Sequence, residues 1–197
     1  MLAVASFSPQ SHAAVIVTAV EDSGNVLFTS NGGSLDLSAL TQDFSGDFSI
    51  GVNANDAIVR LGAPSSATIF SGVSGPLMFG PGTGSLEVAT TGSGPVVAVL
   101  GDPFGIGPGA VGEIEVPVGY VSGTALAPSS LTFTGASFAS LGLEVGIYTW
   151  TWGDVSNGTD DFFELRIGSS AVIPLPASAF LLLTGIGALV VGRRARA

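Results

Sequence analysis

Cysteine and lysine are both missing from this 197-residue chain, and histidine occurs once, at His12. Without cysteine there are no disulfides, no thiolate nucleophile and no Cys-ligated zinc, although the redox compartment stays open. Without lysine there is no Schiff-base chemistry. With its one histidine so near the N-terminus, the body has no Ser-His-Asp triad and no His-ligated metal. Charge is scarce too: charged residues make up 10% of the chain, against about 25% in ordinary soluble domains. What charge there is runs one way. All fifteen carboxylates lie between Glu21 and Glu164, and from Glu21 to Arg166 only Arg60 and Arg166 oppose them, which leaves 2 − 15 = −13. Such a body repels phosphate backbones, so no nucleic-acid partner is expected.

Glycine is abundant, at 29 residues with 11 prolines, and Val, Ser, Thr, Ala, Leu and Phe fill most of the remainder. That mixture favours short strands and turns over long helices. "AVIVTAVE", "DSGN" and "VLFTS" read as strand, turn and strand. "GSLDLSAL" places Leu35, Leu37 and Ala39 on one face. "AIVRLG", "ATIFSG", "GSLEVATTG", "PVVAVLG", "GEIEVPVGYVSG" and "SLTFTG" continue the series, and "ASFASLGL" has room for one helical turn. The clearest pair is "IYTWTW" and "DFFELRI", joined by the hairpin loop "GDVSNGTD". Tyr148, Trp150 and Trp152 share one face of the first strand, and Phe163, Leu165 and Ile167 share one of the second. About ten strands at this spacing predict an all-β fold, a single jelly-roll-like β-sandwich over 14–168. "FGPGTG" (Phe79 to Gly84) and "GDPFGIGPGAVG" (Gly101 to Gly112) read as surface loops.

Candidate chemistry in the body is thin. Gly107 to Gly112 matches G-x-G-x-x-G, but a strand follows where a phosphate-binding helix is needed, so a loop is expected. Asp154, Ser156, Asn157, Asp160, Asp161 and Glu164 crowd the last hairpin, and oxygen ligands at that density suit Ca²⁺. The spacing fits an EF-hand poorly, and an acidic turn is the plainer reading. Asp154, Asn157, Asp160 and Asp161 stand as weak calcium candidates, and no metal or cofactor is assigned. Glu113, Glu115, Glu144 and Glu164 are the carboxylates available for glycoside hydrolysis. Glu113 and Glu115 alternate along a strand, roughly 7 Å apart, as acids on a solvated face commonly do. Tyr148, Trp150 and Trp152 suggest either a sugar-stacking platform or, more simply, core. No catalytic residue is assigned and no enzyme activity is expected.

The two ends carry addresses. "MLAVASFSPQSHAAVIV" resembles the back half of a secretory signal peptide over 1–13, cut after Ala13, with its basic region expected upstream. At the other end a linker over 169–172 leads to "IPLPASAFLLLTGIGALVVGRRARA". Ala177 to Gly192 is uncharged and as a helix would be about 24 Å long, near the thickness of a bilayer core. Arg193, Arg194 and Arg196 behind it favour a cytoplasmic end.

Ile173-Pro174-Leu175-Pro176-Ala177, then an apolar segment, then an arginine cluster, resembles the VPLPA-type variant of the PEP-CTERM sorting signal, with Ile in place of the usual Val. Val116 to Gly153 and Gly33 to Leu40 are also similar to stretches of those proteins. The resemblance implies an exported protein of a Gram-negative surface: a precursor held in the inner membrane by a C-terminal transmembrane helix over part of 173–197, then cleaved by an exosortase. It further implies display at the surface or in an exopolysaccharide matrix, with no defined activity for the body. A structural protein is the expected function; a carbohydrate- or calcium-binding surface module is the alternative.

Overall fold

The computed structural model describes residues 14–101 and 112–168. The leader with Ala13, the G-x-G-x-x-G loop up to residue 111, the linker and the whole sorting segment lie outside the described residues. Among the described residues no helix is long and apolar enough to cross a membrane.

The chain is all-β. In order its strands are β1 (Val15–Asp22), β2 (Asn25–Ser30), β3 (Gly33–Ser34), β4 (Thr41–Asp47), β5 (Gly51–Asn53), β6 (Ile58–Leu61), β7 (Ser66–Val73), β8 (Glu87–Val88), β9 (Thr91–Ser93), β10 (Val97–Leu100), β11 (Gly112–Pro117), β12 (Ala125–Leu126), β13 (Ser130–Thr134), β14 (Gly146–Trp152) and β15 (Asp161–Ile167). Six form one sheet in the order β14-β15-β1-β2-β13-β9; seven form another, β4-β7-β11-β10-β6-β5-β8; β12 and β3 make a small third sheet. The ladders described are antiparallel except one: β1 runs parallel to β15, from Val15 opposite Phe163 to Ala19 opposite Ile167.

Local chemistry explains most of these elements. Val15, Val17 and Ala19 are buried in β1 while Ile16, Thr18 and Val20 are half-buried, the alternation of a strand with one face on a core. β1 turns into β2 through Ser23 and Gly24, both at positive φ (52° and 78°), a two-residue turn whose twist matches the flanking strands. In β14 and β15 the expected faces hold: Trp150, Trp152, Phe163, Leu165 and Ile167 are buried, and Thr149 and Thr151 are exposed. Trp150 packs edge-on to Phe163 (6.1 Å between ring centroids) and to Phe79 (6.4 Å). The two large sheets share a single hydrophobic core with these rings in it, together with Phe28 and Val17 of one sheet and Val59 and Ile114 of the other.

Several expectations need correction. Of "GSLDLSAL", only Gly33 and Ser34 enter a ladder. Leu35 and Leu37 are buried as expected, but Ala39 is exposed, because the chain turns at Ser38 instead of continuing the alternation. "TQDFSGD" (β4) was not expected as a strand. It is a mostly exposed edge paired, among the described residues, with β7 alone, so neither face imposes an apolar period. Phe79, expected in a surface loop, is fully buried between Tyr148 and Trp150, and the loop surfaces only beyond Gly80. "ASFASLGL" does form a single turn, with Leu141 N–H bonded to Ser137 O at 3.1 Å.

Candidate functional site around the last hairpin

The β14–β15 ladder closes at Trp152 opposite Asp161, and the loop between them folds tightly. Asp154 is extended (φ −142°, ψ 121°) and accepts the Ser156 N–H at 2.7 Å, capping one 3₁₀ turn over Val155–Asn157. Gly158 ends the turn at φ 67°, and Thr159 Oγ1 accepts the Asp154 N–H at 3.2 Å. Those hydrogen bonds from Ser156 hold the Asp154 carboxyl below its ordinary value. Asp154 and Asn157 therefore belong to an exposed turn.

Asp161 faces the other way. It is buried; one oxygen accepts the N–H of Asp36 at 2.6 Å and the other that of Phe162 at 2.7 Å. Trp152 Nε1 donates to the Asp36 carbonyl at 2.6 Å. Ser122 Oγ donates to Asp36 Oδ1 at 3.0 Å and accepts from Leu37 N at 2.8 Å. Tyr120 OH accepts from Leu35 N at 2.8 Å and donates to Thr124 O at 2.7 Å. The irregular segment Leu35–Leu37 is thus held by side chains where a sheet would use backbone. Hydrogen bonds from Ser38, then Ser122, keep the Asp36 carboxyl below its usual range despite some burial, while burial pushes the Tyr120 phenol up. Of the four calcium candidates, Asp154 and Asn157 sit in the turn, Asp161 belongs to this network, and Asp160 lines a neighbouring groove. Among the described residues no three Asp, Glu or His side chains are grouped so as to hold a metal ion.

Beside the loop, Thr149, Thr151, Asp160, Phe162 and Glu164 line a groove of about 620 Å³. Glu164 is engaged there: it accepts from Arg166 Nε at 2.6 Å and lies 3.4 Å from Thr149 Oγ1. Glu144 and Glu164 are not joined to Glu113 and Glu115 by any shared strand or sheet. Glu144 is exposed at the start of the β14 hairpin, with Tyr148 OH on its carbonyl at 3.1 Å, and Glu164 is on the six-stranded sheet. Glu113 and Glu115 are in the seven-stranded sheet, and contrary to expectation neither is on a solvated face: Glu115 is 0% exposed and Glu113 8%. Arg60 of β6 forks onto Glu115, Nε to Oε2 and Nη2 to Oε1, both at 2.5 Å. Sequence pattern fails here because the alternation of β11 is the same whether its second face meets water or a buried arginine.

Tyr148, Trp150 and Trp152 follow the core reading and present no exposed sugar platform. Trp150 and Trp152 are buried, their indole N–H groups bonded to Pro76 O (3.0 Å) and Asp36 O, and Tyr148 is half-buried against Phe79. The accessible aromatics overlooked in the sequence are Phe44 and Phe48. Their signal is the doubled Asp-Phe-Ser of "DFSGDFS", which a reading focused on apolar alternation passes over. Comparison with protein-family models, with curated proteins and with solved structures finds no match for this chain.

Proposed function

We propose that the chain is an exported surface or extracellular-matrix structural protein, held briefly in the inner membrane by its tail and released to the surface by an exosortase. The observation that carries this reading is the order of parts at the C-terminus: Ile173-Pro174-Leu175-Pro176-Ala177, an uncharged apolar run, then Arg193, Arg194 and Arg196. Each part has its own physical task. The prolines remove N–H donors and fix φ, which keeps the motif extended as a protease requires. The apolar run holds the segment in the bilayer beside the enzyme, and the arginines stop transfer. The body suits the role. It reads as a jelly-roll-like β-sandwich, two large sheets on one core, and its last strand is bonded on both sides, to β14 and to β1. A tail leaving such a strand pulls on two ladders.

Expression of the full chain in a host with a matching exosortase tests this. The surface form should end near Ala177 and lack the apolar run, and Pro174→Ala with Pro176→Ala should accumulate uncleaved in the inner membrane. Wild-type processing of that double variant would reduce the motif to a linker.

A further inference from the structure

The outer face of the seven-stranded sheet carries a feature that the tail does not explain. In "TQDFSGDFS" the triplet Asp-Phe-Ser occurs at 43–45 and again at 47–49. The β4–β7 register slips between Gln42 and Ser45, and the bulge leaves Phe44 52% exposed. Phe48, just past the end of β4, folds back over Gly46, where an added Cβ would lie 3.2 Å from its ring. The Phe48 ring rests on the guanidinium of Arg60, 4.9 Å from carbon to centroid. Arg60 is itself immobilised by Glu115 and by the carbonyl of Ser49 at 3.1 Å. The ring is a plate on a rigid, buried support, and Phe44 stands beside it at 6.3 Å, tilted by 56°.

In front of Phe48 opens a cleft of about 670 Å³, walled by Phe48, Ile50, Pro64 and Val88 and edged by Asp47, Ser65 and Thr90. That volume lies within the range of small-molecule sites, roughly 300–1,000 Å³. Apolar plates alternate here with hydroxyls and one carboxylate. A pyranose ring has the complementary form, with C–H groups on its faces and hydroxyls around its rim. Charge selects among sugars. Asp47 lines the cleft, Asp43 flanks Phe44, and the stretch from Glu21 to Arg166 carries −13, so uronate and sulfated polymers are repelled.

We infer that the Phe48 cleft binds a neutral polysaccharide chain, stacking one sugar on Phe48 and a neighbouring one against Phe44. Asp47 and the serine and threonine hydroxyls take the ring hydroxyls. Gly46 acts as a positioning residue, since it lets Phe48 lie flat. The inference concerns the body alone and does not rest on the sorting reading: tail cleavage and sugar binding succeed or fail separately.

The full chain in detergent is tested by affinity electrophoresis against neutral polymers (mixed-linkage glucan, starch, mannan, galactan) and against alginate and polygalacturonate. At least one neutral polymer should retard it, and the polyuronates should not. Phe48→Leu keeps an apolar cover on Arg60 but removes the ring, and should weaken binding about tenfold, the weight of one ring stack, with the β fold retained by circular dichroism. Phe48→Tyr should bind like wild type, and Phe162→Ala, in the other groove, should change nothing. The inference is overturned if no neutral polymer retards the protein, if the polyuronates bind as well, if Phe48→Leu binds like wild type, or if Phe162→Ala is the variant that loses binding.

Discussion

Arg60 and Glu115 meet over Ala98. Both are register partners of that alanine, from the strands on either side of β10, and its methyl group leaves room for the two long side chains to join above it. The pair is nearly dry, with side-chain exposures of 7% and 0%. Removing either partner strands a buried charge, so Glu115→Leu or Arg60→Met should destabilise the protein by about 3–5 kcal/mol. The double variant Arg60→Met with Glu115→Leu should lose much less than the sum. Urea denaturation of the three variants measures the coupling, and strict additivity would show that the pair does not interact.

Stability should be flat in mid-range pH and fall at both ends. Tyr120 is raised above its ordinary 10.0, by burial first and by Asp161 and Asp36 second. Its folded form holds the proton more tightly, so its contribution is whole below pH 10 and is lost as pH rises through the folded value. Asp36 is lowered from 3.8 by its hydrogen bonds to Ser38, so its contribution is present above that value and is lost as pH falls through the folded one. Melting temperature against pH should show both limbs. Tyr120→Phe should flatten the alkaline limb and leave the acid limb in place.

Both tryptophans of the chain are buried with their N–H groups bonded to backbone carbonyls. Native emission should therefore be blue-shifted and resist acrylamide, and should move red in one transition on unfolding. Gly75 lies against the Trp150 ring: a Cβ there would come 2.6 Å from Cγ and 2.9 Å from Cα. Gly75→Ala should lower the midpoint by displacing the indole, an overpacking effect of about 1–3 kcal/mol. A wild-type midpoint would mean that this contact relaxes freely.

Calcium should leave the fold unchanged. Asp154 caps its own turn and Asp161 is committed to Asp36 and Phe162. A ligand of the native state raises stability by mass action. Thermal melts with calcium and with chelator should therefore superimpose, and a rise of several degrees with calcium would reverse this assignment.

Export should leave β1 whole. Cleavage after Ala13 would start the mature chain at Ala14, one residue before Val15 opens the strand. Intact mass of the exported protein should give Ala14 or Val15 as the first residue; retention of Met1 would count against the leader.

Much of the fold was legible where one face of a strand meets the core. Trp150 and Trp152, or Phe163, Leu165 and Ile167, alternate because their partners in the strand face away from it, and side-chain period is a property of sequence alone. The turn at Ser23-Gly24 and the hairpin loop at 153–160 were legible for the same reason: each is encoded by neighbours in the chain. Composition likewise determined the excess of carboxylates and the lack of cysteine and lysine chemistry. Tertiary structure decided whatever depends on residues far apart. It set the first strand parallel to the last, made an edge strand of polar "TQDFSGD", and drew Phe79 into the core. It buried Glu115 against an arginine 55 residues away, and by that pairing gave Phe48 its support. Local patterning records which side chains share a face. Which faces find each other is settled by the packing of the whole chain, because a buried charge or an exposed ring depends on what the rest of the molecule brings to it.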